Sequence, residues 1–169
     1  YRVGRQRQVC IRDGFGKTAT EEAQSWVESG FKSLSAKETT AYQGMTEGGT
    51  DQRESYAFVT AMKKVDDKNA KLAMLYAYDI PQNAKTAYYY SVMASDEEKE
   101  KMDALAADGV GYDAYMQYKQ TYSKQFGTKT VSQERIQTVL DELNLTKAQK
   151  AALWAAMGTS WKEENNPYK

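Results

Sequence analysis

The stretch RDGFGKT, residues 12–18, holds groups that a phosphate-binding loop needs. In such a loop the amides of a glycine-rich turn cradle phosphates, a lysine neutralises the terminal ones, and a Ser or Thr hydroxyl reaches magnesium. Gly16, Lys17 and Thr18 fill those places, but the first glycine of the pattern falls on Ile11. No later apolar strand ends in a metal-binding aspartate, and no parallel sheet is expected to present the loop. A turn leading into a helix cap is the better account of these residues.

The acids call for the same weighing. Asp96, Glu97, Glu98 and Glu100 are dense enough to suggest metal ligands or a general acid/base pair. They fall in the first turn of a helix opened by Ser95, where the helix dipole favours negative charge, and Lys99 and Lys101 interleave them. That pattern describes a solvated helix start, and Asp66/Asp67 and Glu163/Glu164 read the same way. Cys10, between Val9 and Ile11, has no base beside it and behaves as a small apolar residue. As the only cysteine it closes no internal disulfide. Histidine is absent, which removes Ser-His-Asp and Cys-His catalysis and every imidazole metal site. The expectation is no catalytic activity, no metal and no cofactor. The rival is a small hydrolase without histidine, working through carboxylates or through Lys17.

Tyrosine is the most unusual feature. Nine of the 13 lie between Tyr76 and Tyr122. Tyr112, Tyr115, Tyr118 and Tyr122 recur at steps of three and four and so line one side of a helix. Packed inward, such rings form core with the hydroxyl turned to water or a carbonyl. Left outside, they anchor a protein partner or stack on sugars or bases. With Tyr88 and Tyr89 these four make the candidate partner-binding set, and some of them are expected to be partly exposed.

Residues 1–17 carry five basic side chains (Arg2, Arg5, Arg7, Arg12 and Lys17) against one acid, Asp13. This is the only unbalanced basic cluster, so any phosphate contact is expected there, as salt-sensitive nucleic-acid binding without sequence preference. The chain as a whole has a formal net charge of 0, which gives no general argument for nucleic acid or an anionic membrane. Its longest apolar run, Ala151 to Met157, is far too short to span a bilayer. It starts at Tyr1 rather than Met and shows no signal-peptide pattern, so a piece of a longer polypeptide, or a processed or trimmed product, is expected.

The elements that must position these residues are helices. With only 2 Pro in 169 residues and near-average apolar and charged content, the chain can build a core and leans toward helix. Thr18 and Thr20 precede Glu21 and Glu22, with Ala23, Val27, Phe31 and Leu34 at helical spacing. A polar stretch, YQGMTEGGT (42–50), then separates this helix from one with Tyr56, Val59 and Met62 on its apolar face. Asp66 or Asp67 caps a helix carrying Leu72, Leu75 and Tyr76 that stops before Pro81. Another helix holds Tyr88, Tyr89, Val92 and Met93. Ser95 with Glu98, and Thr146 with Gln149, form capping boxes; Ser132 caps a further helix, and Gly109, Gly127 and Gly158 end their helices. The expected fold is all-α: seven or eight short helices built from helix hairpins behind a basic arm. Residues 1–17 are the arm and 18–169 one domain, with a division into lobes 18–65 and 66–169 left open.

The pair around Leu143 to Gly158 also invites comparison with a DNA-reading helix-turn-helix. Lys147, Gln149 and Lys150 are polar, but the rest of the second helix is Ala, Leu, Trp and Met, and Asp141 and Glu142 before the turn would repel phosphate. A hairpin burying Leu140, Leu143, Leu153 and Met157 is the better description.

LDELNLTKAQKAALWAAMGTSWKEENNPY (140–168) resembles helical segments of large phage and prophage virion-associated proteins of Gram-positive bacteria, the tail tape-measure or minor structural type. An L-x-L-T-x-x-Q-K-x-A-L pattern carries the likeness, through Leu143, Leu145, Thr146, Gln149, Lys150, Ala152 and Leu153, mainly within residues 130–169. The resemblance implies packing and assembly rather than chemistry, and it carries over no functional residue. The expected function is a non-enzymatic structural or protein-interaction module of a larger, phage-related protein, with a protein partner or a second copy of itself. The location it implies is cytoplasmic or virion-associated.

Overall fold

Ser35 opens the first helix among the described residues. Its hydroxyl accepts from the Glu38 amide at 3.1 Å while the Glu38 carboxylate accepts from the Ser35 amide at 2.8 Å, a reciprocal box that satisfies two otherwise unpaired donors. The computed structural model describes residues 34–158 and 160–169. Among them are eight α-helices and no strand: α1 (Ala36–Glu47), α2 (Gln52–Lys63), α3 (Lys68–Ala77), α4 (Gln82–Tyr88), α5 (Asp96–Ala107), α6 (Tyr112–Phe126), α7 (Gln133–Glu142) and α8 (Lys147–Met157). A π-helical turn, Tyr89–Met93, continues α4, and a short 3-10 turn, Glu163–Asn165, follows α8. The all-α expectation holds. The basic arm and the helix foreseen from Thr18 to Leu34 fall almost wholly outside the described residues.

The described residues form two units with separate cores, one ending at Met93 and one starting at Ala94. Residues 65 and 66 lie inside the first unit. There α1 packs against α2, α4 and the π turn, around Ala41, Tyr42, Met45, Phe58, Val59, Met62, Leu75 and Tyr88. Residues 42–47, expected as a polar separator, belong to α1, because Tyr42 and Met45 are buried beside Ala41 and the capping box starts the helix upstream. In α2 the inward positions are Phe58, Val59 and Met62, with Tyr56 only half-buried.

In the second unit α7 lies against α6 and α8, and α5 contacts α6 and α8. Ile136, Val139 and Leu140 make the expected stripe of α7, and Leu153 and Trp154 face inward from α8. Leu143 and Met157, foreseen as buried in this hairpin, are half-buried. The expected caps form except the Ser95–Glu98 box, of which only the Ser95 half is present. Asp67 accepts from the Ala70 amide, Ser132 from the Arg135 amide, and Thr146 and Gln149 complete a full box. Gly127 ends α6 at φ +59°, a left-handed backbone that only glycine adopts without strain.

Candidate functional site

Helix α6 follows the N-cap residue Gly111 and runs for 15 residues, long enough to carry all four tyrosines of the stripe. Its inward face consists of Tyr115, Met116, Tyr118 and Tyr122. The stripe therefore points into the second unit's core from its second turn onward. Only Tyr112, in the first turn, stands at the surface, 38% exposed.

The hydroxyls show what these rings are for. Tyr115 donates to Glu98 Oε2 at 2.6 Å, and Lys119 Nζ donates to the same oxygen at 2.9 Å. One carboxylate on α5 thus holds two side chains one turn apart on α6. The Lys119 ammonium also sits 5.8 Å from the centroid of the Tyr115 ring, in cation–π range. Tyr112 donates to Asp103 Oδ1 at 2.8 Å, a second tie between α5 and α6. Tyr122 shares its hydroxyl proton between the carbonyls of Lys129 and Thr130, at 2.8 and 3.0 Å, and so holds the turn that leads into α7. The Arg135 guanidinium donates to the same Thr130 carbonyl. Tyr118 differs. Its ring lies 6.2 Å from that of Tyr122, but its buried hydroxyl meets no acceptor or donor among the described residues. Burial, and then the neighbouring Tyr122, push its pKa well above the ordinary phenol value.

Tyr88 and Tyr89 belong to the first unit and are both buried. The Tyr88 ring meets Phe58 edge-on at 5.1 Å, and Phe58 meets Tyr78 the same way at 4.8 Å. Burial, with a smaller contribution from Glu38, raises the Tyr88 phenol to about 12. Beside it, Lys85 is buried and donates from Nζ to the Tyr76 carbonyl at 2.6 Å, capping the last turn of α3. Burial lowers the Lys85 pKa, and Asp79 opposes that shift. Nothing in the residue types singled out Lys85, because a lysine on a short helix is ordinarily a solvated one.

Of the six tyrosines expected to bind a partner, five have their rings in the two cores: Tyr88, Tyr89, Tyr115, Tyr118 and Tyr122. A surface role falls to Tyr112 alone among this set. The expectation that several would be partly exposed assumed that neighbouring helices could not wrap a broad tyrosine face, but α5 and α7 both pack against α6. Asp96, Glu97 and Glu98 do open α5, and Glu98 is drawn to Tyr115 and Lys119. Among the described residues no three His, Cys, Asp or Glu side chains come together as a metal-binding group. No described helix is long and apolar enough to cross a membrane. Arg2, Arg5, Arg7, Arg12, Lys17 and Cys10 lie outside the described residues.

Sequence reasoning also passed over the segment after α8. The Trp161 ring meets that of Trp154 at a tilt of 52° with centroids 4.9 Å apart, Asn166 is buried, and the Tyr168 hydroxyl donates to Asp141 at 2.6 Å. The usable signal was a run of large and turn-forming residues, Trp161, Asn166, Pro167 and Tyr168, just beyond a helix stop. No protein-family model, curated protein or solved structure matches this chain.

Proposed function

We propose that this chain is a non-enzymatic structural and protein-interaction module of a larger assembly protein, of the phage or prophage type that residues 130–169 resemble. The observation that carries the reading is the use of the tyrosine hydroxyls. A tyrosine that serves as an acid, a base or a stacking platform presents its hydroxyl or ring face to a ligand. Tyr115 and Tyr122 instead have buried rings, and their hydroxyls tie one helix or turn to the next. Those ties stiffen a set of short helices, which suits a packing unit.

The interaction surface in this reading is the start of α6, where Tyr112 combines an exposed ring with a hydroxyl held by Asp103. Aromatic side chains fixed in one rotamer are favoured interface anchors because little conformational entropy is lost on docking. The partner proposed is a second copy of the chain. Sedimentation of the wild type and of Tyr112→Ser over a range of concentrations tests this. The expected result is concentration-dependent association of the wild type and a folded, non-associating variant. A wild type that stays monomeric, or a variant that associates like the wild type, contradicts it.

A further inference from the structure

The segment 160–169 is attached to the second unit in an unusual way. Its backbone hydrogen bonds to described residues are local: Trp161 to Gly158, Asn165 to Lys162, Asn166 to Glu163 and Lys169 to Asn166. Its ion pair, Lys169 with Glu163 at 3.0 Å, is internal and exposed. Among the described residues, three side chains connect it to the helices. Trp161 lies on Trp154; Asn166 Nδ2 donates to the Ala151 carbonyl at 2.9 Å; Tyr168 donates to Asp141 and lies 3.3 Å from the Gln137 carbonyl. Asn166 Oδ1 accepts from the Tyr168 amide at 3.0 Å, so the last two anchors hold each other in place.

Asn166 and Tyr168 support each other, so losing one weakens the other, while the α7–α8 contact beneath rests on Ile136, Val139, Leu140 and Leu153, all fully buried. Segments held by a few side chains open at a lower free energy than the core they cover. We infer that residues 160–169 form a releasable latch on the α7–α8 hairpin, which opens as a unit and uncovers Trp154 while the helices stay folded. The hairpin then has two surfaces: closed, with the Trp161 ring against the Trp154 indole, and open, with that indole bare.

Gly158 fits this role. A Cβ at that position would lie 1.8, 2.0 and 2.4 Å from three carbons of the Trp161 ring, so any side chain there must displace that ring. The Gly158 backbone, at φ −119° and ψ 66°, is not left-handed, so alanine there strikes Trp161 without forcing α8 into a new conformation. Gly158→Ala and Asn166→Ala therefore disturb the latch from its two ends.

Both variants are made in a Trp26→Phe background, so that Trp154 and Trp161 are the only indoles left. Quenching of their fluorescence by acrylamide is read together with helix content and amide protection of residues 133–157. The latch predicts quenching raised by about twofold or more in both variants, with helix content and α7–α8 protection retained. Two results overturn it: loss of α7–α8 protection in both variants, which makes the segment part of the core, or unchanged quenching in both, which means the segment does not open.

Discussion

A buried phenol must have its ring packed and its hydroxyl either paired or kept neutral, and the tyrosines here divide on the second condition. Tyr122 has two carbonyl acceptors, whereas Tyr118, one turn earlier, has no partner among the described residues. Tyr122→Phe should therefore cost about 1–2 kcal/mol, and Tyr118→Phe should be neutral or mildly stabilising, since it removes a buried polar group and keeps the ring. Urea unfolding of the two variants checks the pair. The same residues set the alkaline limit. In the unfolded chain Tyr88 ionises near 10.0, but in the fold only at about 12. Its contribution is thus complete below the unfolded value and is lost as pH rises through the folded one, about 3 kcal/mol by linkage. Tyr42, Tyr118 and Tyr168 are raised too and act in the same direction. Lys85 acts oppositely: burial disfavours its charged form, and that penalty fades as pH approaches the ordinary lysine value. Unfolding free energies measured from about pH 9 to about pH 12 should fall steadily, with a phenolate absorbance step that coincides with unfolding.

At the scale of elements, what was legible was what is local. A cap depends on residues three apart, so Ser132, Asp67 and the Thr146–Gln149 box could be read directly and the structure contains them. Thr146→Ala should cost about 1 kcal/mol and fray the first turn of α8, visible as faster amide exchange at Gln149. Ser95 accepts from the Glu98 amide as expected, but the Glu98 side chain bonds Tyr115 and Lys119. That choice is made by α6, at a sequence distance no capping pattern reports. Glu98→Gln should retain α5 yet weaken its hold on α6, lowering stability by about 1–2 kcal/mol, because the half-exposed ion pair is partly screened while the tyrosine hydrogen bond is not. The π turn Tyr89–Met93 and the helicity of residues 42–47 were not legible, since packing of α1 against α4 and the π turn, rather than local spacing, supports them. The tyrosine stripe was legible as one side of a helix, but spacing tells which side is aromatic and not how deep that side lies.

At the scale of the whole molecule, each unit has its own core, and large side chains dominate both. Phe58, Met62 and Tyr88 are fully buried in the first unit, Met102, Ile136, Leu140 and Leu153 in the second, where Trp154 is 1% exposed. Removing one such side chain leaves a hole that short helices on tight links close only in part. Tyr115, Tyr118 and Tyr122 of α6 are structural members rather than a ligand-facing surface, whereas Tyr112 stands outside the core, and the stabilities of Tyr118→Ser and Tyr112→Ser test this most directly. Equilibrium unfolding should show Tyr118→Ser destabilised by about 3–5 kcal/mol, in line with large-to-small core changes, and Tyr112→Ser within about 1 kcal/mol of wild type. A Tyr118→Ser protein as stable as the wild type would contradict the claim.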